Sequence, residues 1–213
     1  NLPSSNLAQT LYKPFLGILY MCLAGSLFPV MNGLAKLLAE TYSFEQVVWA
    51  RTLSHLILVL IVLVPKFGIS IVFTNRPSLQ LLMSFMLLAS TFVFFAGIQY
   101  ISVVKAASIT FTAPLIVVLL SSRLLGEKVT RERIVGVVVG FVGVLVVIRP
   151  GTELFQWASL LIVASATFYA LYQILLRRVA TIDRPETSVV YSALIGSIVM
   201  SFLVPFSGKI LSL

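Results

Sequence analysis

The sequence predicts an all-α, polytopic helical membrane protein, and three observations lead to this fold class. Of the 213 residues, 59% are hydrophobic and only 10% are charged, whereas a soluble domain typically carries about 25% charged residues. Seven long apolar stretches alternate with short polar connecting segments, here called joints, and Lys and Arg concentrate in every second joint. A chain of this composition cannot cover itself with polar surface in water, so its solvent is lipid.

Each apolar stretch approaches the roughly 20 residues that a spanning helix needs. Helices are expected because a backbone in lipid must satisfy its own polar groups. The stretches are longer than barrel strands and do not alternate polar with apolar residues. The predicted spans are 15–38, 46–64, 79–101, 104–124, 133–149, 155–176 and 188–206.

The distribution of basic residues predicts the orientation. Ten of the 15 Lys and Arg residues lie in one set of alternating joints, and four lie in the other. By the positive-inside rule, the N-terminal segment 1–14 is cytoplasmic. Trp49 and Trp157 then both fall at the outer interface, where indoles settle. The richer set comprises Lys13, Lys66, Arg76, Arg123, Lys128, Arg131, Arg133, Arg177, Arg178 and Arg184.

The chain contains a weak internal repeat. A shift of 141 residues places segment 17–53 on 158–194 without gaps, with six identities that include Glu45 on Glu186. Five spans separate the two copies, and an odd number inverts the second copy in the membrane. We therefore expect a first five-helix repeat over 15–149 and the start of an inverted second repeat over 155–213. By the same logic, three further spans would follow Leu213.

Several motifs carry a family resemblance. Residues 104–148 combine a small-residue helix containing Pro114, a leucine-rich run ending in Gly126-Glu127, a basic turn and a glycine-bearing helix. Arg51 lies early in the second span, and ASATFYALYQILLRR opens the second copy. This pattern resembles the EamA-type transporters of the drug/metabolite transporter superfamily, over essentially the whole chain.

The resemblance implies a ten-span fold and transport of small metabolites rather than an enzyme activity. Members of this kind include importers and exporters, among them S-adenosylmethionine and riboflavin uptake proteins. It also implies a multi-pass protein of the bacterial inner membrane that needs no cofactor. The expected partners are the lipid bilayer and a small-molecule substrate, with a homodimer left open. Nucleic acid is excluded because the basic residues lie beside the spans, where they face headgroups.

Arg51 is the strongest candidate for substrate binding. A charge inside a span is costly and usually faces a cavity or a partner. It would anchor a substrate carboxylate or phosphate, or it would snorkel to headgroups as a structural residue. His55 shares its helix face at i+4 and would bind substrate, relay a proton or remain a neutral buried histidine.

Pro114 lies in the middle of the fourth span and removes the backbone bond to the Thr110 carbonyl. The freed carbonyl would contact substrate or mark a hinge; alternatively, the kink is static and is relieved by Ser108 or Thr110. Polar residues elsewhere in the spans would contact substrate at the midplane or only join helices. These are Asn32, Gln99, Tyr169, Tyr172 and Gln173.

The motifs that are missing narrow the function further. Every acidic residue lies at a span edge or in a joint, so no carboxylate is available at mid-membrane for exchanging cations against protons. There is no catalytic motif and no cluster of metal ligands in the sequence. The leading interpretation is a carrier of a small polar metabolite that works by alternating access. An exporter of drugs or excess metabolites is the first alternative, and a non-transporting membrane fragment or scaffold is the second.

Overall fold

The computed structural model describes residues 4–124, 130–148 and 157–207, and this part of the chain is a bundle of helices. Two short 3-10 helices, Ile69–Val72 and Val204–Ser207, follow the second and the last α-helix. The α-helices are α1 (Ser4–Thr41), α2 (Phe44–Phe67), α3 (Pro77–Ile98), α4 (Val103–Thr110), α5 (Thr112–Leu124), α6 (Arg131–Ile148), α7 (Ala158–Val179) and α8 (Pro185–Leu203).

Six segments among the described residues are long and apolar enough to cross a membrane: α1 from Leu16 onward, α2, α3, α4 with α5, α7 and α8. The helix α6 contributes a shorter apolar stretch, Ile134–Gly143. These segments match the predicted spans to within a few residues, apart from a longer α1, so the prediction of a polytopic helical membrane protein is confirmed. The predicted turn at Gly126–Lys128, together with Arg149 and Lys209, lies outside the described residues.

The helices α2 and α8 begin two and three residues earlier than predicted because of the residues at their first turns. Ser43 and Gln46 form a capping box at the start of α2, which satisfies two backbone N–H groups. Pro185 occupies the first turn of α8, where its missing N–H has no cost. The 141-residue shift places Phe44, the first residue of α2, on Pro185, the first residue of α8.

The fourth span is interrupted. The sequence predicted one helix over 104–124, whereas the structure has α4 and α5 meeting at Phe111. Pro114 lacks an N–H for the Thr110 carbonyl, and the break lies in the turn before it. The Thr112 hydroxyl donates to the Ile109 carbonyl beside the break. The interruption lies where Pro114 predicts a disturbance, and Val103–Ser121 still forms one candidate span.

The bundle has two distinct ends. At one end, Thr74 of joint 68–76 donates a hydrogen bond to Asp183 of joint 180–184; we call this the basic end. At the other end, the Trp157 ring lies 5.0 Å from the Tyr100 ring. The Trp49 indole N–H donates to the Ser201 hydroxyl at 2.9 Å. Both tryptophans thus lie at this tryptophan end, as the alternation of basic joints predicts.

The helix α3 lies at the centre of the bundle and packs most extensively against α7. Its other main partner is α8, which also packs along α2, while α5 and α4 pack on the far side of α7. The core is largest toward the tryptophan end, around Phe95, Ile98 and Ile162, all fully buried. A smaller apolar cluster of Val59, Ile71 and Val190 lies toward the basic end.

Candidate functional site

A cavity of about 340 Å³ lies between α2, α3 and α8, with α1 at its edge. Its volume falls within the range of small-molecule sites, about 300–1,000 Å³. Its lining is mixed, since four apolar side chains face polar groups from α2, α3 and α8. The lining residues are Met31, Arg51, Thr52, His55, Leu87, Leu88, Thr91, Ser192, Ala193 and Gly196.

Arg51 supplies the charge of this cavity. Its guanidinium carbon lies 5.5 Å from the centre of the Phe95 ring, within the range of a cation–π contact. The guanidinium makes no hydrogen bond or ion pair with any other described residue. His55 follows one turn later on the same face of α2 and also lines the cavity. The site therefore offers a fixed cation whose hydrogen-bond donors point to no protein acceptor among the described residues.

Hydroxyl groups complete the polar part of the lining. The Thr52 hydroxyl donates to the Trp49 carbonyl at 3.0 Å, and the Ser197 hydroxyl donates to the Thr52 carbonyl at 2.9 Å. The first bond lies within α2, and the second fixes α2 against α8 beside the cavity. Ser192 lies 3.4 Å from Ser84 of α3, oxygen to oxygen. Among the described residues the Thr91 hydroxyl has no hydrogen-bond partner, so it remains available to a ligand.

The structure brings Arg51 and His55 together but places the other predicted site residues elsewhere. Asn32 is buried on α1 next to the lining residue Met31, and its Oδ1 has no partner among the described residues. Gln99 is exposed at the end of α3. The Thr110 hydroxyl donates to the carbonyl of Ala106 in its own helix at 2.9 Å.

The remaining predicted residues belong to the other side of the bundle. Tyr169 and Tyr172 stack with ring centres 5.7 Å apart, and Gln173 is half-buried beside them on α7. Pro114 is exposed on α5, which packs against α7. The cavity that holds Arg51 is lined by residues of spans one, two, three and seven, and none of its described lining residues belongs to spans four or six. Substrate contact by the remaining predicted residues stays a prediction.

Thr52, Thr91 and Ser192 were missed in the sequence. Their signal is the helical spacing of hydroxyls: Ser84 and Thr91 are seven residues apart on α3, and Ser188 and Ser192 are four apart on α8. Such spacing places each pair on one helix face. Polar residues on one face of an apolar helix usually point toward the bundle interior.

The model of the EamA-like transporter family matches residues 15–149. A riboflavin transporter of Vibrio cholerae is 27% identical over 189 residues, which cover 86% of this chain and 63% of the relative. An S-adenosylmethionine uptake transporter of Rickettsia bellii is 27% identical over 142 residues, or 67% of this chain and 49% of the relative.

A second riboflavin transporter, from Rhizobium johnstonii, is 24% identical over 190 residues, covering 88% of this chain and 62% of the relative. The chain thus spans less than two thirds of the length of these relatives. No solved structure gives a significant match. The relatives are named as transporters and not as enzymes, in agreement with the motif analysis. Because the family model covers more than half of the sequence, this chain belongs to the EamA-like transporter family.

Proposed function

We propose that this protein carries a small polar metabolite across the bacterial inner membrane by alternating access around the Arg51 cavity. The observation that carries the proposal is an arginine inside a membrane-spanning bundle, facing a cavity, without an acceptor among the described residues. An unpaired charge in this environment is expensive. A substrate group that accepts its hydrogen bonds would offset that cost.

The position of the cavity supports this proposal. Its lining comes from α1, α2 and α3 of the proposed first repeat and from α8 of the proposed second repeat. Substrate sites of transporters built from inverted repeats lie near the midplane, where the repeats meet. The proposed repeats would rock about this site and expose it to each side in turn. The positive-inside rule supports a cytoplasmic N-terminus and hence a cytoplasmic basic end.

The names of the relatives narrow the class of metabolite. Riboflavin and S-adenosylmethionine, named for the relatives, both combine a fused heteroaromatic ring system with a hydroxylated sugar-derived group. The apolar side chains of Met31, Leu87 and Leu88 would contact such a ring. Arg51, Thr91 and His55 would bind the polar groups of the rest of the metabolite. We therefore propose uptake of a metabolite of this kind.

Uptake of radiolabelled riboflavin and of radiolabelled S-adenosylmethionine by cells that lack their own uptake systems tests this proposal. Arg51→Ala should lower the initial uptake rate of the accepted metabolite at least about tenfold, the factor that corresponds to about 1.4 kcal/mol. Arg51→Lys should retain part of the rate, because an ammonium keeps the charge but loses the planar fork.

The matched control is Arg131→Ala, which removes an exposed arginine at the start of α6, outside the cavity. Its uptake rate should equal that of the wild type at the same membrane abundance. Wild-type rates for both Arg51 variants would remove Arg51 from the site. No uptake of either metabolite by the wild type would reject the proposed substrate class.

A further inference from the structure

The helices α3 and α8 run side by side in register, and both begin at the basic end. The Ser84 and Ser192 oxygens lie 3.4 Å apart. One turn further, a Cβ placed on Gly196 would lie 4.0 Å from a methyl group of Leu88. Because both helices advance by the same rise per residue, Gln80 and Ser188 lie at the same level, one turn nearer the basic end. We call this strip between α3 and α8 the polar seam.

The polar seam contains buried oxygens that the protein does not satisfy. Gln80 is fully buried and Ser188 is 3% exposed. Neither the Gln80 Oε1 nor the Ser188 Oγ has a partner among the described residues. A buried polar oxygen without a hydrogen bond is destabilising, and such groups usually bind ordered water. An amide oxygen and a hydroxyl at one level offer the two polar partners that a water molecule needs.

Both ends of the polar seam lead to polar groups. Toward the centre of the bundle, Ser192 lines the cavity that holds Arg51. Toward the basic end, the Gln80 Nε2 donates to the Asp183 Oδ2 at 3.0 Å. A row of neutral polar groups therefore connects the cavity with the joint that contains Asp183.

The Asp183 carboxylate connects joint 180–184 to joint 68–76 at the basic end. Its Oδ2 also accepts a hydrogen bond from the Thr74 hydroxyl. Its Oδ1 accepts from the backbone N–H of Asn75 at 3.3 Å and from the Asn75 amide at 3.5 Å. Hydrogen bonds to a carboxylate are roughly twice as strong as neutral ones. This cluster, the Asp183 latch, ties the joint before α8 to the joint before α3.

We propose that the polar seam is a water-filled path from the central cavity to the basic end, and that the Asp183 latch closes it. This inference rests on the proposed function. In a transporter, the path would be the route by which the cavity opens toward the basic end. Water is the proposed occupant, since Gln80, Ser84, Ser188 and Ser192 are all uncharged. Release of the latch would let α3 and α8 separate at this end and widen the path.

Cysteine accessibility tests the path directly. Cys22 is the single native cysteine and is replaced by Ser in all variants. Ser188→Cys places a thiol in the polar seam, and Ser90→Cys is the matched control on the opposite face of α3. Ser90 is 6% exposed and is hydrogen-bonded to Ser165 of α7. A charged methanethiosulfonate reagent acts only on thiols that water reaches, and its rate is measured on purified protein in detergent.

We expect Ser188→Cys to react at least about tenfold faster than Ser90→Cys. Adding Asp183→Asn should raise the rate at position 188 by about tenfold again, the factor for about 1.4 kcal/mol of lost latch bonding. The same addition should leave the rate at position 90 unchanged. Thr74→Val, which removes one donor of the latch, should give a smaller increase and serves if Asp183→Asn does not fold.

Equal rates at positions 188 and 90 would overturn the path. An unchanged rate at position 188 in both latch variants would overturn the role of Asp183. The labelling rates do not depend on transport, so the two proposals fail separately. Wild-type uptake by the Arg51 variants with fast labelling at position 188 would reject the Arg51 site and leave the path. Slow labelling at position 188, together with loss of uptake in Arg51→Ala, would reject the path and leave the Arg51 site.

Discussion

The two faces of α3 differ in how completely their polar groups are satisfied. On the α7 face, the Ser90 hydroxyl donates to the Ser165 carbonyl at 2.9 Å, and the Ser165 hydroxyl donates to the Ser90 carbonyl at 2.7 Å. On the α8 face, Ser84 and Ser192 are 3.4 Å apart, and the Gln80 Oε1 has no partner among the described residues. The serine hydroxyls of the first face are paired, whereas the second face leads into the Arg51 cavity.

The difference shows where movement is cheapest. Separating α3 from α7 would break reciprocal hydrogen bonds and expose a tightly packed core. Once the Asp183 latch is released, separating α3 from α8 near the basic end would break no reciprocal hydrogen bonds and would widen the polar seam. We therefore expect α3 and α7 to move as a unit, and α8 to move relative to them when the cavity opens toward the basic end.

The largest expected effect comes from overpacking the α7 face. A Cβ at Gly97 would lie 2.6 Å from a methyl group of the fully buried Ile162. Gly97→Ala should therefore lower the free energy of unfolding by about 1–3 kcal/mol. At Gly196, on the α8 face, a Cβ would lie 3.1 Å from the Thr52 methyl group. Gly196→Ala should cost less than about 1 kcal/mol, because this contact is only slightly too close.

Thermal unfolding of the purified variants in detergent checks this order. Gly25→Ala is the control, since a Cβ there meets no atom within 4 Å. The midpoint should fall most for Gly97→Ala, less for Gly196→Ala and not for Gly25→Ala. A Gly196→Ala variant less stable than Gly97→Ala would reverse the comparison between the two faces.

The second expected effect is a smaller loss of stability, and it compares the removal of one serine hydroxyl from each face of α3. Ser90→Ala removes the bond from the Ser90 hydroxyl to the Ser165 carbonyl but keeps the bond from the Ser165 hydroxyl to the carbonyl of residue 90. The loss should be about 1 kcal/mol. Ser188→Ala removes a hydroxyl that bonds no described residue, so its effect should stay within about 0.5 kcal/mol of zero. The same unfolding assay measures both variants. Equal losses of stability would mean that Ser188 is as firmly bonded as Ser90.

The smallest expected effect concerns pH at the latch. Partial burial raises the pKa of the Asp183 carboxyl, but the hydrogen bonds from Thr74, Gln80 and Asn75 outweigh it and hold this pKa below its ordinary value. The bonding contribution of the carboxylate is therefore complete above the unfolded pKa, about 3.9. It is lost only as the pH falls through the lower folded pKa. The latch should be closed at all physiological pH values.

The pH dependence of latch closure is measured as a ratio of two labelling rates at position 188, the rate with Asp183→Asn divided by the rate without it. The ionisation of the thiol affects both rates equally and cancels in this ratio. We expect a constant ratio between pH 5.5 and 8. The other charged side chains of the adjoining segments are Arg76, Arg184 and Glu186. Lys66 lies at the end of α2, Arg177 and Arg178 lie at the end of α7, and His55 lies across the cavity on α2. A ratio that falls toward pH 5.5 would show that the latch already opens by protonation in this range.

The sequence predicted the helices because hydropathy and joint charge depend on local composition. It predicted Arg51 and His55 as neighbours because both lie on one face of a single helix. It did not predict that α3, rather than the fourth span or α7, would complete the cavity. That choice depends on helix packing, which local patterns do not encode. The break at Phe111 follows from the short-range effect of Pro114, which was predicted, whereas the capping box at Ser43 was not predicted.

The two tryptophans of the chain lie at one end of the bundle. Intrinsic indole fluorescence would therefore act as a one-sided reporter. A rearrangement that frees the Trp49 N–H from Ser201 would shift the emission, whereas opening at the opposite end would leave the spectrum nearly constant. A change in the indole emission on adding a metabolite would show that the tryptophan end has moved, without any introduced label.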